Sequence, residues 1–180
     1  MAGTYTQVTI DLDVDAERAD LLTLLRDQRA LLRITARGLT EEQARSAPTV
    51  SALSVGGLIK HVARVEQDMT SQIVERDENS EVDMTALSDA YELGEGETLD
   101  GALEDYERSA AEFDRVIASV DSLDDLIPQP TAPWQPEREW WSVRKLVLHM
   151  LRETAQHCGH ADIVREAIDG QTTMAALFEQ

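Results

Sequence analysis

Residues 142–170 read SVRKLVLHMLRETAQHCGHADIVREAIDG, and the spacing inside this stretch decides the fold. Val143, Leu146, Val147, Met150, Thr154, Ala161, Val164 and Ile168 recur three and four residues apart. At about 100° per residue that puts them on one face of a helix. Ser142 is a capping residue at the start, and Gly170 is a stop at the end. An apolar stripe of this kind has to be buried against other helices.

The rest of the chain supplies them. Thr98 opens a helix in which Leu99, Leu103, Tyr106, Ala110, Phe113, Ile117 and Val120 keep the same rhythm. Ser54 caps another, with Val55, Leu58, Val62, Val65, Met69 and Ile73 on one side. From Ala16 to Leu39, after the cap candidates Asp13 and Asp15, the stripe is Leu21, Leu24, Leu25, Leu31, Leu32 and Ile34, with Gly38 as the stop. Thr40 and Gln43 have capping-box spacing, which predicts a brief helix to about Arg45 before Pro48. The pattern thus predicts long helices near 16–38, 54–76, 98–120 and 142–169. This is an all-α four-helix bundle in a single domain over residues 1–180, with its core between about 15 and 170.

Between and beyond the helices the signals change. Val8, Ile10, Leu12 and Val14 alternate with polar residues, as in a short extended arm. With no sheet to join, the arm is expected to lie across a helix groove or on a second subunit, so a homodimer is among the expected assemblies. The acid-rich stretch from Glu75 to Glu97 reads as a solvated connection. Residues 121–141 carry Pro128, Pro130, Pro133 and Pro136 with Trp134, Trp140 and Trp141. Those tryptophans either anchor this long loop or line the mouth of a site between the helices that flank it, the first being preferred. Residues 172–180 read as a short terminal turn.

Composition removes whole classes of function. In 180 residues there are 35 Asp and Glu against 16 Lys and Arg, a formal charge of −19. Nucleic-acid binding needs clustered cations, and an anionic membrane surface repels such a chain. At 42% hydrophobic residues the chain has material for a core, and its 9 Gly and 5 Pro are too few for a turn-rich fold. The longest stretch free of charge, Ser46 to Ile59, contains Pro48, Gly56 and Gly57 and falls short of the roughly 20 residues of a membrane span. Met1 to Ile10 has no basic start or apolar run of a secretory signal, and one cysteine makes no disulfide framework. The expected compartment is the cytoplasm.

The candidates for chemistry sit on two helices. His157 falls inside the stripe of 142–170, with Glu153 one turn earlier toward its edge. Residues at i and i+4 lie about 5–6 Å apart at Cβ, so the pair can converge on one ion. An inward carboxylate also needs a cation, a donor network or a metal. His61 borders the stripe of 54–76, from which a neighbouring helix could bring it to the same point. On spacing alone the trio reads either as partly buried, hydrogen-bonded side chains or as metal ligands, and the two readings stay open. Cys158 lies about 100° around the helix from His157 with nothing nearby to lower its pKa, so it reads as a packing residue. No Gly-rich phosphate loop precedes a helix.

Three segments carry a resemblance: Ser51 to Glu66 (SALSVGGLIKHVARVE), Trp134 to Glu139 (WQPERE) and His149 to Glu166 (HMLRETAQHCGHADIVRE). Together they resemble the DinB/YfiT-like superfamily from about Asp15 to Gly170, and more narrowly its actinobacterial branch that includes mycothiol-dependent transferases. The resemblance implies a four-helix bundle holding a divalent metal through three residues. Many relatives use three histidines, the later two four apart before an Arg-Gly-Gln sequence. Here Glu153 stands four before His157, and His160 stands where that Gln would be, the His, Glu, His variant of mycothiol-dependent maleylpyruvate isomerases. The implied ligands are therefore His61, Glu153 and His157. His149 and His160 would orient a ligand or touch substrate, their other reading being ordinary helix-surface residues.

Three ligands of nitrogen and oxygen type leave coordination positions open, as in a catalytic site. Zinc fits best, and nickel, iron or manganese suit the same donors. The implied reaction is S-transfer or isomerisation of a detoxifying kind, in which a metal-bound thiolate of mycothiol attacks a small electrophile. Two alternatives remain: a hydrolase using a metal-bound water, and a non-catalytic stress or ligand-binding protein.

Overall fold

The computed structural model describes residues 4–85 and 89–178. Its long helices are α1 (Ala16–Thr35), α3 (Val55–Glu75), α4 (Leu99–Ser119) and α5 (Val143–Asp169), with short helices α2 (Glu41–Arg45) and α6 (Thr173–Phe178). One antiparallel strand pair, β1 (Leu126–Pro128) with β2 (Trp140–Ser142), completes the elements. Each long helix begins where a capping side chain meets an orphan N–H: Asp15 accepts from Arg18, Ser54 from Gly57, Thr98 from Gly101 and Ser142 from Lys145. Both bonds of the Thr40–Gln43 capping box are present on α2. Gly170 takes φ +79° to close α5, as a stop glycine should.

Side-chain bridges fix the directions of the helices. Arg144, at the start of α5, holds Glu17 at the start of α1, while Arg165 near the end of α5 donates to the Thr35 and Arg37 carbonyls past the end of α1, both at 2.7 Å. These two helices run parallel. Arg18 donates to the Ile117 and Val120 carbonyls, so the start of α1 meets the end of α4 and that pair is antiparallel. Lys60 reaches Glu97 just before α4, so α3 and α4 run parallel. The bundle is thus up, down, down, up, with α3 packed between α4 and α5. This topology explains the connection after α3. A 21-residue helix spans about 30 Å, and the chain must travel back along it to start α4 at the same end.

The core follows the predicted stripes with one shift. On α1 the fully buried residues are Leu22, Leu25 and Leu32, whereas Leu24 is 44% exposed. The true stripe runs through Arg29, a position that apolar counting skips. Arg29 is buried and spans three helices, its Nη1 2.7 Å from Asp114 Oδ1 on α4 and its Nη2 hydrogen-bonded to Glu66 on α3. Arg26 Nε adds 2.6 Å to Asp114 Oδ2, so two cations meet two carboxylates inside the bundle.

Three expectations need correction. The stretch from Glu75 to Glu97 is not simply solvated: Ala90 and Leu93 are buried, and residues 92–97 are tied down by Arg45 and Lys60. Residues 86–88 of that stretch lie outside the described residues. The terminal turn is a helix, α6, which lies on α1 as far as Phe178; residues 179 and 180 are outside the description. The proline-rich loop is held by Leu123 and Ile127 in the core, by Arg138, which donates to the Gln129 and Ser80 carbonyls, and by one of its three tryptophans, Trp141. Trp134 and Trp140 are exposed, and only Trp141 packs.

The N-terminal arm needs no second subunit. Ile10 and Leu12 pack on the bundle's own core, Arg26 donates to the Thr9 carbonyl, and the buried Asp27 carboxylate receives the N–H groups of Tyr5 and Thr6. Backbone that finds side-chain partners on α1 has no need of a sheet.

Candidate metal centre

Antiparallel packing of α3 on α5 brings the sequence candidates together. Ligand atoms of His61, Glu153 and His157 all lie within 4.8 Å of one another. His157 is buried, with Nε2 3.5 Å from Glu153 Oε2 one turn earlier on α5. The His61 ring meets the His157 ring edge to face at 4.8 Å between centroids. Ligands around a tetrahedral zinc lie about 3.4 Å apart, given bonds near 2.1 Å, so the Glu153–His157 separation is that of a chelating pair.

Protonation favours the same use. Burial pushes the His61 pKa down to about 4, helped by the neighbouring His157. Burial lowers His157 as well, against the pull of Glu153. Both imidazoles are neutral at pH 7 with lone pairs to donate, beside one carboxylate. Two neutral nitrogens and one anionic oxygen suit a divalent ion with positions left for other ligands. Glu153 differs from expectation in one respect. Its side chain is 21% exposed and Arg152 Nη2 stands 3.3 Å away, so the carboxylate is at the rim rather than sealed inside.

The two further histidines touch the trio. His160 Nδ1 lies 3.5 Å from His157 Nδ1. With His157 Nε2 turned to Glu153, its Nδ1 is the nitrogen left to carry a proton toward His160. His149 Nε2 stands 3.6 Å from Glu153 Oε1, and Arg152 donates to His149 Nδ1 at 2.5 Å, which leaves the His149 proton on Nε2, aimed at the carboxylate. Trp141 meets His149 edge to face at 5.2 Å and carries Lys145 Nζ over its ring at 3.8 Å. One of the three tryptophans thus borders the centre, the role given second place from sequence. Cys158 is buried, and burial pushes its thiol up to about 11, so it remains protonated packing.

Sequence reasoning missed Tyr91, whose ring stacks on His61 at 4.1 Å and 25°. A signal was present in Gly56 and Gly57, two helix-weakening residues together at the start of α3. A Cβ on Gly57 would collide with the Tyr91 carbonyl, and one on Gly56 with the Leu93 side chain.

Among solved structures the chain resembles the crystal structure of a conserved protein from Enterococcus faecalis, with a TM-score of 0.62 and 18% identity over 84% of this chain and 96% of that one. At that identity the likeness shows the fold. No curated protein matches the chain. The family model described as Mycothiol-S-transferase matches residues 20–170, a span that holds both helices of the centre, and the chain therefore belongs to this DinB/YfiT-like family.

Proposed function

We propose that the protein is a mycothiol S-transferase acting on small electrophiles, with one divalent ion, zinc by preference, held by His61, Glu153 and His157. The observation that carries this is the convergence of those three ligand atoms within 4.8 Å in a chain of this family. A bound divalent ion would supply Lewis acidity, lowering the pKa of a thiol that enters an open position. The chain's own residues do the rest. His61 and His157 stay neutral because burial disfavours their charged forms, and His160 helps fix the ring of His157 by accepting a hydrogen bond from its Nδ1–H. Arg152 fixes the His149 tautomer, and His149 steadies Glu153 from the rim. Tyr91 covers one face of His61, and Trp141 packs on His149 beside Glu153.

The reading takes the chain as one domain working in the cytoplasm on reactive compounds; among the described residues no helix is long and apolar enough to cross a membrane. The test is metal analysis of the purified protein together with mycothiol consumption in the presence of a bromobimane-type or epoxide electrophile. Metal-loaded protein should consume thiol faster than the apoprotein. Turnover with water alone would establish a hydrolase instead, and a metal-loaded protein inert to every electrophile would support the binding-protein reading.

A further inference from the structure

We infer that Tyr91 is a positioning residue for the candidate metal centre, and that Gly56 and Gly57 exist to let its loop reach His61. The inference rests on the metal reading above and extends it to residues outside the ligand set.

Because α3 and α4 are parallel, the connection between them must run back along α3 and pass over its N-terminal turns. There it makes contacts that a solvated linker would not. The Tyr91 carbonyl presses so close to Gly57 that no side chain fits beneath it, and Leu93 fills the space over Gly56. Lys60 Nζ donates to the Glu92 carbonyl at 3.0 Å and pairs with Glu97 at 2.9 Å. Arg45 Nη1, on α2, donates to the Leu93 carbonyl at 2.6 Å. Residues on either side of the contact thus clamp the backbone of 91–97 onto the first two turns of α3.

The clamped backbone delivers one aromatic ring to one place. Tyr91 is 38% exposed, so burial of its own surface does not explain the clamp. Its ring lies nearly flat on the His61 imidazole, while the His157 ring sits edge-on to His61 at 4.8 Å. His61 is thereby bordered on two adjacent sides by rings, and the Tyr91 ring itself lies 5.8 Å from that of His157, so the three rings form one cluster. A half-buried His on a helix still has more than one χ1 and χ2 rotamer open to it, and an ion would have to select one. A flat ring against the imidazole restricts that rotation and keeps the ring nitrogens turned toward α5. Ring stacking needs the aromatic face and not the hydroxyl.

The test measures metal affinity by competition with a chromogenic chelator, and the visible spectrum of the cobalt-loaded protein. Tyr91→Phe should bind zinc within about threefold of the parent and keep the cobalt spectrum, while Tyr91→Ala should bind about tenfold more weakly with an altered spectrum. Gly57→Ala, which displaces the Tyr91 carbonyl, should weaken binding similarly, and combining it with Tyr91→Ala should add little further. If Gly57→Ala does not fold, the exposed Tyr91 pair still decides. Parent-like affinity and spectrum in Tyr91→Ala would overturn the inference. Loss of affinity in Tyr91→Phe equal to that in Tyr91→Ala would assign the role to the hydroxyl and overturn it as well. Failure of the ligand reading itself is distinguishable, because His61→Ala would then bind zinc like the parent whatever Tyr91 does.

Discussion

His61, Glu153 and His157 do different work within one centre, and substitution should separate them. Glu153 supplies the only anionic oxygen of the trio, so Glu153→Gln keeps the shape and removes the charge. Zinc affinity should fall at least tenfold, and His61→Ala or His157→Ala should lose most of the metal along with thiol consumption. Cys158→Ala should keep both, because the thiol is buried and protonated. Chelator competition and elemental analysis check all four. The histidines also set a pH dependence. A His61 pKa of about 4 in the folded chain lies below the ordinary 6.5, so protons compete with metal at this ligand only under acidic conditions. Zinc affinity should stay nearly level from pH 8 to 6 and fall toward pH 4; a tenfold loss already at pH 6 would mean a solvated, ordinary His61. In the apoprotein the same shift works on stability. The unfolded chain takes up the proton first, so this contribution is full above about pH 6.5 and is lost as pH falls toward 4.

At the scale of elements, the predicted helix starts agree with the structure to within a residue because caps are written locally: Asp15, Thr40, Ser54, Thr98 and Ser142 each accept from a backbone N–H three residues on. What was not legible depends on distant partners. The end of α1 falls at Thr35 rather than at Gly38, where Arg165 from α5 donates to the Thr35 and Arg37 carbonyls. Arg29 and Glu66 lie on buried faces that apolar periodicity cannot reveal, since each is acceptable there only in the presence of the other. The candidate trio was half legible: Glu153 and His157 share a helix face by spacing, but the meeting with His61 needed the resemblance, and Tyr91 depends on a long connection with no period at all. Arg165 yields a direct test. Arg165→Met keeps much of the apolar stem and strands two carbonyls that had charged donors, so urea denaturation should show a loss of about 2 kcal/mol. Deleting residues 1–13 should also destabilise the chain, because Asp27 would lose its Tyr5 and Thr6 donors and the core would lose the cover of Ile10 and Leu12.

For the whole molecule, a charge of −19 and the proposed ion site between two helices bear on the same equilibrium. The surplus of carboxylates repels itself in the compact state, and no single pairing removes it. A divalent cation held at the proposed site would do more than neutralise two charges, because His61 lies on α3 and Glu153 with His157 on α5, so it would bind only when both are packed. Binding to the folded state alone stabilises it by RT ln(1 + [L]/Kd), about 2.7 kcal/mol at a hundredfold excess over Kd. For a chain of 180 residues that corresponds to a rise in Tm of roughly 5–10 °C. Differential scanning fluorimetry of the apoprotein should show this rise with zinc, growing with the logarithm of free zinc and reversed by a chelator. His61→Ala should show almost none of it under the same conditions. Sodium chloride at matched ionic strength provides the contrast: screening the acidic surface should raise Tm equally in the parent and in His61→Ala. An equal response of both proteins to zinc would mean that the cation acts on the surface charge and not through the centre between α3 and α5.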